Sequence, residues 1–541
     1  MTTSARTDVL IGGAGPTGLA LACDLARRGV QVRIVERGRG LFPGSRGKGL
    51  SPRLLEVFDD LGVVHDVLAS ARTHMLVTNY DRDRVLSTVD SHAGLEPTPD
   101  IPYPSAAWAP QWRTQEILRS RLAGLGVEVE FGCEVADVSQ DDDGVTCTLD
   151  RDGHREQIRA RYLIGCDGGR STIRKRLGLT FDGLTRQDHR HAFVGDVQVD
   201  GLTADRSHGW NDPRLGFLLL TPFTDTPVWQ FQALLRTDAR PDAPEPSLTT
   251  FQGIVDEITG GLPIRLSGLT WSSRFTTSER IAERYRTGQV FLAGDAAHVY
   301  SPAGGQGMTT GIQDAYNLAW KLAAVLGGAP DSLLDTYEAE RRPIARRALI
   351  DSGHRFEEVL TTTEDPHRDP NQMWKTVINR KTSQLGITYR GGPLAPETEC
   401  GTTTLRPGDR APDSICSDPD SGTDLRLFDL FRGPHWTVLA FADTDTSAAP
   451  THLYGSEVRT WVIDDHAQGA LRDKGNTTRA AYGVAGPTTF LIRPDGYVGA
   501  IARSGDANTV PDMFRRLLSG AADRRHRSVQ AMVSRGDGVA S

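Results

Sequence analysis

Between Val290 and Ala323 the chain sets one carboxylate, Asp295, and one imidazole, His298, ahead of a loop holding Gly304, Gly305 and Gly307. Glycines at such spacing let the backbone come close to a ligand. A helix start follows, whose unpaired N–H groups and partial positive charge favour a delocalised anion. That is electrostatic chemistry rather than nucleophilic. The elements that must hold these groups lie on either side. Val290, Phe291, Leu292 and Ala293 form a short apolar strand closed by Gly294 and Asp295. Ile312, Ala315, Leu318, Ala319, Leu322, Ala323 and Leu326 recur at the helical period until Gly327 and Gly328 end the helix.

The N-terminus repeats the logic. The strand Asp8–Ile11 runs into Gly13-Ala14-Gly15-Pro16-Thr17-Gly18, a G-x-G-x-x-G turn; Leu19 to Arg28 continue as a helix, and Val32–Val35 form a second strand ending at Glu36. In a dinucleotide-binding unit the glycines allow the tight turn and the approach of a pyrophosphate, and an acid about 20 positions on binds the ribose hydroxyls. Glu36 fits that place. Its charge would repel a 2′-phosphate, so the adenosine of FAD or NAD is expected there rather than that of NADPH. A third segment, Arg161 to Arg174, is again a strand entering a glycine turn, Gly168-Gly169, beside one carboxylate, Asp167.

Composition narrows the class. The chain has 541 residues, too many for one core, and is expected to form roughly two to four domains. Its 61 Lys and Arg against 69 Asp and Glu leave a net charge of -8, which speaks against a nucleic-acid binder. The cluster Arg524-Arg525-His526-Arg527 is read as part of a solvated tail. Cys23, Cys133, Cys147, Cys166, Cys400 and Cys416 show no C-x-x-C or metal-ligand spacing, which argues against a zinc site or a disulfide framework and suits a reducing cytoplasm. Met1 to Arg6 lead directly into the first strand, so neither a signal peptide nor a membrane span is expected, and the location is expected to be cytoplasmic.

Taken together, the three glycine segments resemble the class A flavoprotein monooxygenases, FAD-dependent aromatic hydroxylases of the phenol and polyketide hydroxylase type. The resemblance covers about residues 5 to 400. It implies an α/β chain with a glutathione-reductase-like FAD-binding fold, an inserted β-sheet substrate domain, FAD as cofactor, and NADPH or NADH as a transient co-substrate with no nucleotide fold of its own. Carried over position by position, Gly13, Gly15, Pro16, Thr17 and Gly18 would surround the FAD pyrophosphate, Glu36 and Arg37 the adenosine ribose, and Gly294 with Asp295 the ribityl chain. Gly44-Ser45-Arg46-Gly47 is similar to the family's S-R-A/G element, which sets Arg46 beside the flavin and the nicotinamide. Gln111 matches a glutamine that approaches the flavin, and Asp167 the family's Asp-Gly motif. Pro302, Gly305, Gly307, Met308 and Thr309 would line the flavin where oxygen reacts, with Arg46 and Pro302 the catalytic candidates. Thr309 stands where the family often has asparagine, but the backbone donors of the helix start remain and threonine can also cap. His298 is tempting as an acid or base, yet the motif uses that position structurally.

The segment organisation follows. Residues 1–180 and 280–390 are assigned to the FAD-binding domain and its long helices, 181–279 to the substrate sheet, 405–520 to a C-terminal domain, and 521–541 to a disordered tail. Leu215–Leu220 and the alternating Val228–Ala233 read as strands. Of the aromatics Phe193, Trp210, Phe217, Phe223, Trp229, Phe231 and Trp271, two or three are expected to reach a ligand, with Phe217, Phe223, Trp229 and Phe231 as substrate candidates. Beyond a linker at about 385–410, strands at Trp436–Phe441 and Val458–Ile463 and a hairpin turning at Arg493-Pro494-Asp495-Gly496 resemble the thioredoxin-like domain of phenol and polyketide hydroxylases. Gly486-Pro487-Thr488 stands where thioredoxins keep a cis-proline. The redox dithiol is missing, since Cys416 is the one cysteine there.

The resulting expectation is an enzyme that uses NAD(P)H and O2 to hydroxylate a large aromatic, polyketide-type substrate through a flavin C4a-hydroperoxide, in antibiotic biosynthesis. Epoxidation, Baeyer-Villiger insertion and antibiotic-inactivating hydroxylation stay open on the same scaffold. The partners expected are the aromatic substrate and O2, neither nucleic acid nor membrane, with a homodimer left open. No acid or base pair stands out.

Overall fold

The computed structural model describes residues 5–90, 92–185, 190–236, 244–275, 278–301, 305–364, 369, 371, 381–395, 405–441, 446, 449–503, 510–515 and 517. Its central layer is a sheet in the order Arg286–Thr287, Val290–Leu292, His154–Gly165, Ala5–Gly12, Val32–Glu36, Val129–Phe131. From Val290–Leu292 to Val129–Phe131 every neighbouring pair is parallel. Parallel strands are covered on both faces and therefore read as unbroken apolar runs; Val9, Leu10, Ile11, Val290, Phe291 and Leu292 are all completely buried. The helix Pro16–Arg27 connects the first strand to Val32–Glu36 and packs against the helix Gln306–Leu326.

Gln306–Leu326 starts three residues before Thr309, where a glycine, Gly305, takes the left-handed conformation at φ +60°. The helix is buried nearly all round, on its polar side as well as its apolar one: Ile312, Ala315 and Leu318 are covered, and so are Asp314, Asn317 and Lys321. Such a helix needs partners for its charges. They come from Asp335–Glu364, which supplies Arg341 and Glu340.

A second sheet of seven strands lies beside this layer, in the order Arg265–Phe275, Arg190–Asp200, Trp229–Arg236, Gly216–Pro222, Arg206–Asp212, Leu76–Asp81, Arg84–Asp90. Its last two strands come from outside 181–279, the span assigned to this sheet from sequence. Arg206–Asp212 pairs in parallel with Leu76–Asp81 across a long stretch of chain, and such non-local pairing leaves no local pattern to read. The helix Leu248–Thr259 covers one face: Phe251, Ile254, Val255 and Ile258 pack with Phe193, Leu218, Leu220, Trp229, Phe231, Ala233 and Leu235.

Near the C-terminus, Trp436–Phe441 pairs in parallel with Ser456–Ile463 and antiparallel with Thr488–Ile492, which forms a hairpin with Val498–Arg503. The strands fall where the sequence sets them. Pro487 does not carry a cis bond, however; no cis peptide occurs among the described residues. The hairpin turn is anchored into the first layer. Glu340 accepts hydrogen bonds from Arg493 Nη1 (2.7 Å), Arg493 Nη2 (2.9 Å), Lys321 Nζ (2.7 Å) and Asn317 Nδ2 (2.8 Å), while Asp495 accepts from Arg493 Nη2 (2.6 Å) and Trp320 Nε1 (3.1 Å). The whole cluster is buried.

Candidate active site

Three glycine turns meet at the C-terminal edge of the parallel strands, the usual ligand position in such sheets. Each glycine of the first turn has its own reason. Gly13 has φ +106°, and a Cβ there would stand 2.3 Å from the Cys166 carbonyl oxygen; at Gly18 it would meet the Gly13 carbonyl oxygen at 2.0 Å. These two fix how closely the first turn, its helix and the third turn can pack. Gly15 has no atom within 4 Å of its missing Cβ, so this glycine faces open volume. Glu36 ties the surrounding loops together: its carboxylate accepts from Ala14 N at 2.9 Å and Gly38 N at 2.8 Å.

In the third turn Asp167 accepts from Thr172 N (2.7 Å) and Ile173 N (3.1 Å) through Oδ2, leaving Oδ1 buried with no hydrogen-bond partner. Thr309 Oγ1 is a second buried oxygen without a partner, at the start of Gln306–Leu326. Buried polar atoms of this kind cost free energy unless something satisfies them. Both residues line one continuous cavity of about 1670 Å3, together with Gly13, Gly15, Pro16, Thr17, Glu36, Arg37, Arg46, Gln111, Asp295, Gly305, Gly307 and Met308. Ligand pockets usually measure about 300–1,000 Å3; this one has room for more than one ligand. The open face of Gly15 and the helix N-terminus suit a pyrophosphate, and the orphaned Asp167 and Thr309 oxygens suit hydroxyl or N–H donors, so the residues present fit FAD.

The electrostatics agree. Asp295 opens onto the cavity but is otherwise surrounded by protein; burial raises its carboxyl pKa, against the pull of His298 and Arg46. Arg46 stacks over Phe42, 4.6 Å from the ring centroid, with Trp271 at 5.9 Å, and desolvation lowers its guanidinium pKa against the opposing charge of Asp295. Gln111 Oε1 accepts from Gly47 N at 3.1 Å, which holds the Arg46 loop to the helix Gln111–Gly124. His298 is structural, as expected: its Nε2 bonds Asp314 Oδ2 at 2.5 Å, and Asp314 also takes Arg341 Nε at 2.8 Å. Burial alone would raise the Asp314 carboxyl, but His298 and Arg341 outweigh it and hold it low.

Two of the expected cofactor residues act behind the cavity rather than in its wall. Gly18 lies beneath Gly13, and Gly294 packs against Thr17, whose Oγ1 would be 2.5 Å from a Cβ there. Pro302, with Gly304, lies outside the described residues.

The substrate candidates need a larger correction. Phe217 lines the cavity, but Phe223, Trp229 and Phe231 do not. Phe231 is fully buried and stacks on Phe251 with centroids 4.2 Å apart, and Trp229 belongs to the same core. The apolar phase of the alternation faces the helix Leu248–Thr259. The other phase makes the wall: Gln232 and Leu234 from one strand, Phe217 and Leu219 opposite them in register, and Ala192 and Val194 on the far side. Sequence reasoning also missed Lys48, which donates from Nζ to Thr221 Oγ1 (3.0 Å) and Gln232 Oε1 (2.7 Å), and Phe356 and Val359 from the long helix. Lys48 stood in plain view two residues after Arg46; only its burial marks it.

A parallel dinucleotide sheet, a cavity between it and a second sheet, and an electrostatic rather than nucleophilic site together suit a flavoprotein. Residues 6–352 match the family model described as FAD binding domain, and residues 404–521 match the one described as aromatic-ring hydroxylase, C-terminal. The chain belongs to this family of FAD-dependent monooxygenases, which use NAD(P)H as co-substrate. It is 41% identical to a flavin-dependent monooxygenase of Mycobacteroides abscessus, over 94% of this chain and 100% of that protein. It is 37% identical to 6-methylpretetramide 4-monooxygenase of Streptomyces rimosus, over 94% of this chain and 93% of that protein. Among solved structures, a ternary complex of aklavinone-11 hydroxylase with FAD and aklavinone aligns with a TM-score of 0.80 at 28% identity, covering 96% of this chain and 100% of that one.

Proposed function

We propose that this enzyme hydroxylates a polycyclic, phenolic polyketide-type aromatic held between the flavin site and the seven-stranded sheet. The observation that carries the reading is the single cavity of about 1670 Å3, which runs from the Gly13–Thr17 turn to Phe217, Leu219, Gln232 and Leu234. The named activities of relatives support the substrate class: one acts on 6-methylpretetramide, and another is called anhydrotetracycline monooxygenase.

When bound, FAD supplies an electrophilic oxygen derived from O2 after reduction by NAD(P)H. The chain does the rest. Gly13, Gly15 and Thr17 would receive the pyrophosphate, Glu36 and Arg37 the adenosine ribose, and Asp295 the ribityl chain. Gly305, Gly307, Met308 and Thr309 bring the first turn of a helix to the cavity, where unpaired N–H groups would stabilise negative charge on the ring system. Arg46, stacked on Phe42 and lining the cavity, would meet the flavin and the nicotinamide. The wall of Leu219, Leu234, Ala192 and Val194 keeps water from the reacting oxygen. A cytoplasmic location belongs to the same proposal, because the reductant NAD(P)H is intracellular; no helix among the described residues is long and apolar enough to cross a membrane.

The test is turnover of the FAD-loaded protein with NADPH and 18O2 against anhydrotetracycline and aklavinone, followed by mass spectrometry. One 18O atom in the product of either is the expected result. NADPH oxidation that neither compound stimulates, with no labelled product, would reject the polyketide-type substrate.

A further inference from the structure

We propose that Lys48 accepts the proton of the substrate's ring hydroxyl and then holds the resulting oxyanion. This rests on the phenolic substrate class proposed above. Lys48 sits on the Arg46 loop, and Ala109 N–H pins its backbone by donating to the Lys48 carbonyl at 3.0 Å. From there the side chain crosses to the sheet. Nζ donates to Thr221 Oγ1 at 3.0 Å and to Gln232 Oε1 at 2.7 Å, and lies 5.2 Å from the Trp108 ring centroid. Lys48, Trp108, Gln232 and Leu219 line the cavity together.

An amine nitrogen has four tetrahedral directions. Cε takes one and the two acceptors on the sheet take two more; the fourth is left for a ligand, as a lone pair or a third N–H. No carboxylate among the described residues pairs with this nitrogen. Asp196 is the charge that faces it from the neighbouring strand, itself bonded to Ser45 Oγ at 2.9 Å, and on its own loop Arg46 precedes it by two residues. Burial therefore wins: it brings the Lys48 ammonium down to about 7, against the weaker upward pull of Asp196. Burial likewise lifts the Asp196 carboxyl to about 6. A lysine of this kind holds its lone pair available near neutral pH, which a solvated lysine does not.

The step balances without an oxidant. The substrate O–H bond breaks, an N–H bond forms on Nζ, and the electron pair stays on the ring oxygen. Electron density then rises at the ortho and para carbons, where an electrophilic oxygen attacks. Moving a proton from an ordinary phenol to such an amine is unfavourable by roughly a thousandfold, and the attraction of a contact ion pair in a partly buried site is of similar size.

The test uses the FAD-loaded protein and two phenols whose colour reports ionisation: alizarin, which is polycyclic, and 4-nitrophenol, which is small. Difference spectra are recorded against pH for wild type, Lys48→Met, Lys48→Gln and Lys48→Arg, with FAD content and thermal midpoint as checks of folding. In wild type, the bound probe should ionise at least about tenfold more readily than in solution. Lys48→Met should remove this effect, or Lys48→Gln should if the methionine variant does not fold. Lys48→Arg keeps a permanent charge and should retain it, but its turnover should lose the rise around pH 7. Equal ionisation of the bound probe in wild type and in the uncharged variants overturns the role of Lys48, as does an unchanged pH profile in Lys48→Arg. Binding of 4-nitrophenol without alizarin rejects the polycyclic substrate alone, and Lys48 is then judged on nitrophenol. Failure of wild type to bind either probe overturns both proposals.

Discussion

Replacing Glu340 by Gln separates charge from shape at the joint between the C-terminal hairpin and the helix Gln306–Leu326. The amide has the size of the carboxyl, but Arg493 keeps only Asp495 as an anionic partner and Lys321 keeps only Asn317 Oδ1. Burial pushes the Glu340 carboxyl up, yet Arg493 and Lys321 more than offset it and hold it at about 2 against an ordinary 4.5. At about 1.4 kcal/mol per pH unit, that gap is worth about 3 kcal/mol. Removal of one partner of a buried ion pair generally costs about 3–5 kcal/mol, so the two routes agree. The folded-state value is depressed, so this stabilisation is fully present above the unfolded value near 4.5 and fades as pH falls toward 2. Urea unfolding of wild type and Glu340→Gln at pH 7 and pH 5 should give the same difference of about 3 kcal/mol at both. A difference under about 0.5 kcal/mol, or one that has vanished by pH 5, would refute the reasoning.

The glycine turn offers a paired contrast. Gly18→Ala forces a Cβ to within 2.0 Å of the Gly13 carbonyl oxygen and should lower the thermal midpoint of the protein, whereas Gly15→Ala meets open space, should leave the midpoint unchanged and should weaken FAD binding in a fluorescence titration. Asp295→Ala should yield largely FAD-free protein, seen as loss of yellow colour on purification; full retention of colour contradicts the role given to it. On the seven-stranded sheet, Phe231→Ala should cost about 3–5 kcal/mol in unfolding experiments because it empties a packed core, while the neighbouring Gln232→Ala should change stability little and raise KM for the aromatic substrate. The reverse pattern would mean that the sheet faces are assigned the wrong way round.

The FAD side of the site was legible in the sequence because its signals are local. A strand, a glycine turn, a helix and Glu36 lie within one continuous stretch, and Asp167 and Asp295 each sit in a turn of the same design. The substrate side was not. Val228–Ala233 alternates visibly, but alternation defines two faces without naming the one that a helix will cover; here Leu248–Thr259 takes the aromatic face and leaves Gln232 to the cavity. The strands Leu76–Asp81 and Arg84–Asp90 joined the same sheet through a parallel pairing that no neighbouring residue announces. Lys48 and the Glu340–Arg493 cluster were illegible for a related reason. Their significance comes from burial, and burial is decided by segments far away in the chain.

The two faces of the strand Trp229–Arg236 have different mutational freedom. Phe231 and Leu235 are locked into a close-packed core, where even one methylene is felt. Gln232 and Leu234, one step along the same backbone, face the cavity and belong to no packed apolar core; the side chain of Gln232 meets Lys48 there. A lineage can therefore rewrite the ligand-facing positions of this strand, and Phe217 beside it, while the sheet itself stays folded; Leu219 is held in a small core with Met75, Val77 and Trp108. A combinatorial library confined to Phe217, Gln232 and Leu234 should return mostly soluble, yellow proteins whose preferences for aromatic substrates diverge. The same library shifted by one residue along each strand should return mostly aggregates.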